Sequence, residues 1–382
     1  MKTRLFINKL HFYLALIAAL PIAVLCITGS ILVYKEAIDG YFTRPYMEVE
    51  VQDRKMSIAD MRVRLQEELP GKEFLGVVLP EREGLSYFFW MKDAPFWTVA
   101  YINPYTGEFK GVRAWEDWTM ANIIWWATDL HYSFKWGRVG SYIVAASSLT
   151  LFFSVITGLV LWWPRKSRFY SGKFTLRFHK RWKQTAFNLH GVLGLYTSLI
   201  LAVVTLTGIT ITFFEPFGQL IHAITREEAP KHPDAMKPDP AEEFLPAEIL
   251  LDTARTQLKE RYGIEPKPQS ITFPTAENAV TEIGWQGRSE MVGLEHSHVF
   301  LNAQTGEIIK VEAAGVTTSA ETFVHWMSPI HYGTWGEAVF KNGDLVTRFI
   351  WLVAALVPIF LMISGFSIVK KSRWKNVIKR SL

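Results

Sequence analysis

Four long apolar runs constrain this chain more than any other feature of its sequence. They cover residues 14–34, 142–163, 190–214 and 349–369, and none contains Asp, Glu, Lys or Arg. Since a helix rises about 1.5 Å per residue, roughly 20 residues cross the ~30 Å hydrocarbon core of a bilayer. The sequence therefore predicts a membrane protein, mainly α, with four transmembrane helices. The first run is too long for a signal peptide and lacks a small-residue cleavage site, so we expect an uncleaved anchor.

Charged residues are divided between two kinds of segment. Residues 1–13, 164–189 and 370–382 carry Lys and Arg but neither Asp nor Glu, whereas all 36 acidic residues lie in residues 35–141 and 215–348. Because basic segments stay on the cytoplasmic side of a membrane, we expect cytoplasmic termini, a basic cytoplasmic loop and two long outer segments. The formal net charge of +5 then reflects topology, so the expected partner is a lipid bilayer and not nucleic acid.

The two halves of the chain repeat the same motifs at nearly the same spacing, which indicates a duplication. The matched motifs are Leu10-His11 with Leu189-His190, Thr28-Gly29 with Thr207-Gly208, Thr106-Gly107-Glu108 with Thr305-Gly306-Glu307, and His131 with His331. Because both halves start on the cytoplasmic side, we expect two parallel repeats related by a pseudo-twofold axis along the membrane normal.

Each outer segment has the pattern of one helix followed by four strands. Helical periodicity covers Ile58–Glu68 and Ala247–Tyr262, and turn residues follow both stretches. Strands are predicted at Phe74–Leu79, Ser86–Met91, Trp97–Asn103, Glu108–Val112, Gln269–Phe273, Ala279–Trp285, His298–Asn302 and Ile308–Val311. The Thr-Gly-Glu motifs are typical of hairpin turns, in which Gly supplies the unusual φ. We therefore expect two α+β domains, one in each outer segment.

Four of the 10 histidines occupy paired positions near the ends of the apolar runs. His11 and His190 lie at the cytoplasmic ends of the first and third runs, while His131 and His331 precede the second and fourth runs on the outer side. Facing histidines in a bundle core are one way in which helical bundles hold haem or a metal. Two axial imidazoles leave no open iron position, which suits electron transfer. The pattern predicts one haem site at each face, with interfacial polar residues as the alternative interpretation.

The remaining histidines are weaker candidates. His179 is an alternative inner ligand, but its basic surroundings favour a solvated face. His325 has a tryptophan at the matching position of the first half, so the repeat does not support it as a ligand. His296 and His298 would point to one face of a strand, where they could hold a metal.

Two arginines and two small dipeptides complete the candidate set. Arg138 and Arg348 precede the second and fourth runs. A planar guanidinium suits a haem propionate, and interfacial anchoring is the alternative. Thr28-Gly29 and Thr207-Gly208 lie more than four helical turns from the inner histidines. They indicate close helix packing, with room for a flat macrocycle as the alternative.

Several familiar redox and nucleotide motifs are absent from the sequence. The single cysteine excludes Cys-x-x-Cys-His, and with it covalently attached haem. The sequence has neither a P-loop nor a dinucleotide fingerprint at a strand-to-helix turn. A redox protein of this kind would therefore take its electrons from a separate donor.

The chain resembles the PepSY-associated transmembrane family. The residues that carry the resemblance are Lys9-Leu10-His11, Thr157-Gly158-Leu159, Trp162-Trp163-Pro164, Leu189-His190-Gly191 and Ile330-His331-Tyr332-Gly333. They occur in order along nearly the whole chain. Ser364-Gly365 departs from the Thr-Gly expected in the fourth run, but no predicted ligand depends on that position.

The resemblance implies a bacterial inner-membrane protein with four spans, two periplasmic PepSY-like domains and two haem b groups. It further implies a ferric-siderophore reductase that reduces Fe(III) in periplasmic ferrioxamine-type siderophores, with a cytoplasmic or quinol electron donor. The alternative hypothesis is a non-redox, membrane-anchored PepSY binding or regulatory module, or an accessory subunit of siderophore uptake.

Overall fold

The computed structural model describes residues 2–92, 97–163, 174–229, 233–263, 265, 267–286, 297–313 and 316–369. The chain divides into two compact units. A helical unit comprises Met1–Tyr34, Trp126–Phe214 and Met327–Leu382, and a sheet unit comprises Lys35–Trp125 and Glu215–Trp326. The predicted basic segments between residues 164 and 173 and from residue 370 onward lie outside the described residues.

The described residues form helices and strands in the following order along the chain. The helices are α1 (Lys2–Ile17), α2 (Ala19–Leu32), α3 (Lys35–Met47), α4 (Ile58–Glu68), α5 (Ile123–Ser133), α6 (Gly137–Trp162), α7 (Trp182–Thr212), α8 (Phe214–Thr225), α9 (Ala247–Tyr262), α10 (Ser319–His325), α11 (Met327–Tyr332) and α12 (Gly343–Ile368). The strands are β1 (Phe74–Val78), β2 (Tyr87–Lys92), β3 (Trp97–Ile102), β4 (Phe109–Ala114), β5 (Lys267–Thr272), β6 (Val280–Gln286), β7 (Ser297–Asn302) and β8 (Ile308–Glu312).

Within the described part of the chain, three helices are each long and apolar enough to cross a membrane, namely α6, α7 and α12. The pair α1 and α2 passes the same test together, but the two helices are bent by 61° where they meet. Pro21 explains the bend, because proline lacks an N–H and its ring clashes with the carbonyl of the residue four before it, here Ile17. The first predicted span is therefore divided between two helices.

The helical unit is a bundle in which α7 packs against α6 and α12, α1 packs against α6, and α2 packs against α12. A cluster of buried residues at the α1–α2 bend and along α2 contacts both α6 and α12. Its members are Ala18, Ile22 and Cys26, with Leu151, Ile359 and Met362 around them. Other apolar side chains of the bundle face outward, and Leu199 of α7 is 75% exposed. Such an apolar exterior suits contact with lipid.

The sheet unit contains one antiparallel sheet with the strand order β4-β3-β2-β1-β5-β6-β7-β8. The two outer segments meet at its centre, where β1 pairs with β5 and Val77 lies opposite Ile271. One hydrophobic core includes Leu65 of α4, Leu258 of α9 and Trp285 of β6. The two segments, each expected to form its own domain, thus share one sheet and one core.

The two helices and eight strands predicted for the outer segments are present, but these segments also contain helices that the pattern of one helix per segment does not predict, namely α3, α5, α8, α10 and α11. The bounds of α4 and α9 are the predicted ones, and the eight strands differ from prediction by about one or two residues at either end. Gly107 and Gly306 have φ values of 72° and 73°, as expected for the hairpin turns. Asn103 and Asn302 stabilise these turns because each side-chain oxygen accepts a hydrogen bond from the N–H two residues on, at 2.9 and 2.8 Å.

Candidate functional site

Two pairs of histidines lie inside the helical unit. His11 of α1 faces His190 of α7, with ring centres 6.2 Å apart and ring planes at 88°. His131 of α5 faces His331 of α11, also with ring centres 6.2 Å apart, and these ring planes meet at 54°. These are the two pairs that the repeated motifs predict. We call them the inner pair and the outer pair.

The separation of the rings has a simple chemical meaning. A metal–imidazole bond is about 2 Å long and the ring centre lies about 1 Å beyond the nitrogen, so two imidazoles on opposite sides of one metal have centres about 6 Å apart. Both pairs have this separation. Two imidazoles fill only two positions around a metal, and haem supplies the remaining four ligands of its own iron.

The outer pair is held by hydroxyl groups on α2 and α7. Nδ1 of His131 hydrogen-bonds Oγ1 of Thr28 at 3.0 Å. Nδ1 of His331 hydrogen-bonds Oγ1 of Thr207 at 3.1 Å and the carbonyl oxygen of Val204 at 3.0 Å. Each outer histidine is therefore attached to an apolar helix that also belongs to the bundle core.

The inner pair has the same type of support from α6 and α12. Nδ1 of His11 hydrogen-bonds Oγ1 of Thr157 at 3.0 Å. Nδ1 of His190 hydrogen-bonds Oγ of Ser364 at 3.1 Å and the carbonyl oxygen of Leu361 at 3.0 Å. The expectation that no candidate ligand depends on Ser364 is therefore wrong, because its hydroxyl contacts His190.

These contacts match the usual surroundings of a metal-bound histidine. Nδ1 is the hydrogen-bonded nitrogen in all four rings. A ligating histidine commonly uses one nitrogen for the metal and donates the N–H of the other to a second group, which sets its tautomer and orientation. Nε2 is then the nitrogen available to a metal. Ring separation and hydrogen bonding together fit an iron with two axial imidazoles.

The two candidate propionate partners have protein contacts of their own. The Arg348 guanidinium donates to the carbonyl oxygen of Val33 at 3.2 Å, just beyond the end of α2, and lies 3.9 Å from the Asp344 carboxylate. The Arg138 guanidinium donates to the Tyr142 hydroxyl at 3.2 Å. A role for either arginine at a propionate stays a prediction.

The weaker histidine candidates lie elsewhere. His179 is exposed, and its backbone N–H donates to Oγ1 of Thr185 at 2.8 Å. In the sheet unit, Nδ1 of His298 lies 2.5 Å from a carboxylate oxygen of Glu282, and His296 lies outside the described residues. Burial lowers the pKa of His325, against the opposite effects of Glu312 and Glu321. Among the described side chains, no group of three or more His, Cys, Asp and Glu could hold a metal ion.

Two of the dipeptides that contact the histidines are found where the sequence predicts helix packing. In the sequence, Thr28-Gly29 and Thr207-Gly208 indicate helix packing, because they lie far along the helix from His11 and His190. They contact the histidines of the other face instead. A search for a hydroxyl residue followed by Gly in all four apolar runs would have identified the complete set.

A further contact joins the two helices that carry the outer pair. Tyr132 and Tyr332 each follow an outer histidine in the sequence, and their hydroxyl oxygens are 2.9 Å apart. This hydrogen bond links α5 to α11 directly, so it ties together the helices whose relative position sets the outer pair.

Comparison with known proteins identifies the family of the chain. Residues 8–371 match the model of a family described as the PepSY-associated TM region. No curated protein matches the chain. The family match covers all four apolar runs and both histidine pairs. The chain therefore belongs to the PepSY-associated transmembrane family.

Proposed function

We propose that the chain is a transmembrane electron-transfer protein that holds two b-type haems and reduces Fe(III) in periplasmic siderophores. His11 and His190 would hold the inner haem, and His131 and His331 the outer one. The observation that carries this proposal is the 6.2 Å separation of the ring centres in both pairs. When bound, haem iron supplies a reversible one-electron couple.

The protein's own residues would serve this function in three ways. Each pair of imidazoles would hold one haem, and a haem held by two histidines would supply electron transfer rather than oxygen chemistry. The hydroxyl contacts orient the rings. The apolar helices around the pairs would keep water away, and the predicted topology assigns one pair to each end of the bundle.

The direction of electron flow follows from the predicted topology. A cytoplasmic or quinol donor would reduce the protein at the inner face, and Fe(III) in a ferrioxamine-type siderophore would accept one electron at the periplasmic face. Ferrous iron binds hard oxygen ligands more weakly than ferric iron does, so reduction releases it from the chelator. The sequence motifs resemble those of the inner-membrane siderophore reductase FoxB, which supports this choice of acceptor.

A visible spectrum of the purified protein tests the haem sites. Protein expressed with ample haem should show a Soret band and a b-type α-band on reduction, with two haems per chain by pyridine haemochrome assay. The dithionite-reduced protein, freed of excess reductant and mixed anaerobically with ferrioxamine B, should be reoxidised while Fe(II) appears on a ferrous trap. Haem-free protein that still binds ferrioxamine B would refute the proposal in favour of a non-redox binding module.

Single histidine variants then test the assignment of each pair. His131→Ala should lose the outer haem and keep the inner one, and His11→Ala should do the reverse. His222→Ala is the control, because this buried histidine of α8 belongs to neither pair. Loss of both haems or of neither in His131→Ala would contradict the assignment.

A further inference from the structure

We infer that four hydroxyl–glycine dipeptides position the four histidines for metal ligation. They are Thr28-Gly29 of α2, Thr157-Gly158 of α6, Thr207-Gly208 of α7 and Ser364-Gly365 of α12. The inference rests on the proposed function and adds to it the residues that set the tautomer and the place of each ring. In each dipeptide the hydroxyl forms a hydrogen bond with Nδ1 of the ring, and the glycine allows the edge of the ring to approach the helix closely.

Each hydroxyl is committed as a donor to its own helix. Thr28 donates to the carbonyl of Val24 at 2.8 Å, and Thr157 donates to that of Phe153 at 2.7 Å. Thr207 and Ser364 do the same with the carbonyls four residues before them, both at 2.8 Å. A hydroxyl has a single hydrogen to donate. We therefore assign the hydroxyl oxygen as the acceptor of the hydrogen bond from the histidine, and Nδ1 as the nitrogen that carries the hydrogen.

A main-chain carbonyl reinforces the same tautomer. Nδ1 of His331 also hydrogen-bonds the carbonyl of Val204, and Nδ1 of His190 that of Leu361, each at 3.0 Å. Both carbonyls belong to the residue three before the hydroxyl residue. A carbonyl can only accept, so these rings too must carry hydrogen on Nδ1. The lone pair of each ring is then on Nε2, the nitrogen that a metal requires.

The glycines set how closely each ring approaches its helix. A Cβ added to Gly29 would lie 3.0 Å from Cε1 of His131, and one added to Gly208 would lie 3.0 Å from Cε1 of His331. At the inner pair the corresponding distances are 3.3 Å from Gly158 to His11 and 3.2 Å from Gly365 to His190. Any larger residue would push on the ring edge between its two nitrogens. Glycine therefore leaves room for the imidazole at the helix to which the hydroxyl binds it.

The same arrangement occurs four times between different pairs of elements. The histidine and its dipeptide lie on α1 and α6, on α5 and α2, on α7 and α12, and on α11 and α7. Helix packing alone does not require an imidazole at such a dipeptide. Thr205 of α7 is also buried and donates to the carbonyl four residues before it, Leu201, at 2.8 Å, with no hydrogen bond to a described histidine.

Thr207→Val is the main test, because valine keeps the shape of threonine and removes the hydroxyl. It should weaken retention of the outer haem by about tenfold, at the lower end of the range for loss of a hydrogen bond to a ligating histidine, because the Val204 carbonyl remains. The midpoint potential of the outer haem should rise, since a weaker hydrogen bond at Nδ1 makes the imidazole a poorer donor to iron. Thr207→Ser should restore both properties.

Thr205→Val is the matched control on the same helix, and it should leave both haems unchanged. At the inner pair, Ser364→Ala should alter only the inner haem, with Ser147→Ala as its control, since Ser147 is buried and back-bonded in α6. If Thr207→Val retains the outer haem as well as Thr205→Val does, and with the same midpoint potential, the inference is overturned. Wild-type protein without haem would instead refute the proposed function, so the two failures are distinguishable.

Discussion

Replacing Gly208 by alanine should displace His331 from the outer pair. A Cβ at this position would lie 3.0 Å from Cε1 of His331, whereas carbon atoms pack at about 3.5–4.0 Å. The imidazole would have to retreat by roughly 0.5 Å, although metal–ligand distances are held to about 0.2 Å. We expect the affinity of the outer site for haem to fall about 10- to 100-fold, which corresponds to roughly 1.4–2.7 kcal/mol.

The same substitution, which should lower the affinity for haem, should not lower the stability of the helix. Alanine is favoured over glycine in a helix interior by about 1 kcal/mol, so the apoprotein of Gly208→Ala should be no less stable than wild type. Gly194→Ala is the matched control on α7, because its Cβ would lie an ordinary 3.9 Å from Cδ2 of Leu361. Thermal unfolding of haem-depleted protein would measure the stability of the helix. Haem titration followed by the Soret band would measure the affinity of the outer site for haem.

The combination of a stable helix and a weakened haem site distinguishes positioning from general damage. Gly208→Ala should keep the inner haem, and Gly194→Ala should keep both. If Gly208→Ala binds the outer haem with wild-type affinity and midpoint potential, the close contact does not position His331. If it loses both haems, or if Gly194→Ala loses the outer one, the effect is not specific to the His331 contact.

Three further predictions concern other parts of the molecule. Arg113→Met should destabilise the sheet unit by about 3 kcal/mol, because the buried guanidinium bonds Asp39 at 3.0 Å and the Asn122 side chain at 3.1 Å. Thermal unfolding would measure this loss, and the control Arg64→Met, whose ion pair is exposed, should show a far smaller change. Pro21→Ala should straighten the α1–α2 bend and move His11, so haem analysis should show loss at the inner pair first; retention of wild-type inner haem would refute this. Ser364→Thr should keep the inner haem at its wild-type potential, because threonine offers the same hydroxyl as the other three dipeptides, and a shifted potential would contradict that equivalence.

Local sequence patterns predict α4, α9 and the eight strands of the sheet unit well, whereas α3, α8 and α10 are not predicted. The helix α4 lies between a serine cap and a Pro-Gly pair, and α9 ends at Gly263 in the left-handed conformation with φ of 66°. Those signals act within a few residues of the helix ends, so they can be recognised without knowledge of tertiary contacts. The pairing of β1 with β5 joins residues nearly 200 positions apart, and no local pattern specifies such a partner.

For the candidate site, too, sequence motifs predict some features, whereas contacts between helices that are distant in sequence are not predicted. The repeat predicts which histidines belong together, because equal spacing places equivalent residues in equivalent positions. It does not predict that Thr28 contacts His131, since that contact depends on how α2 and α5 pack. The Thr-Gly motif does not predict the role of Ser364 either, because the contact with His190 needs only a hydroxyl, which serine also supplies.

The central strand pair bears on how a chain of this kind could have arisen. Val77 and Ile271 face each other, and the neighbouring pairs Gly76–Thr272 and Val78–Ser270 lie on either side of them. On the repeat interpretation, a half-length ancestor could have made this contact with a second copy of itself, because such an edge is self-complementary. Each copy would also have supplied one imidazole to each pair. Joining two gene copies end to end would then have turned a dimer that forms only at sufficient concentration into a single polypeptide whose shared sites cannot come apart by dilution.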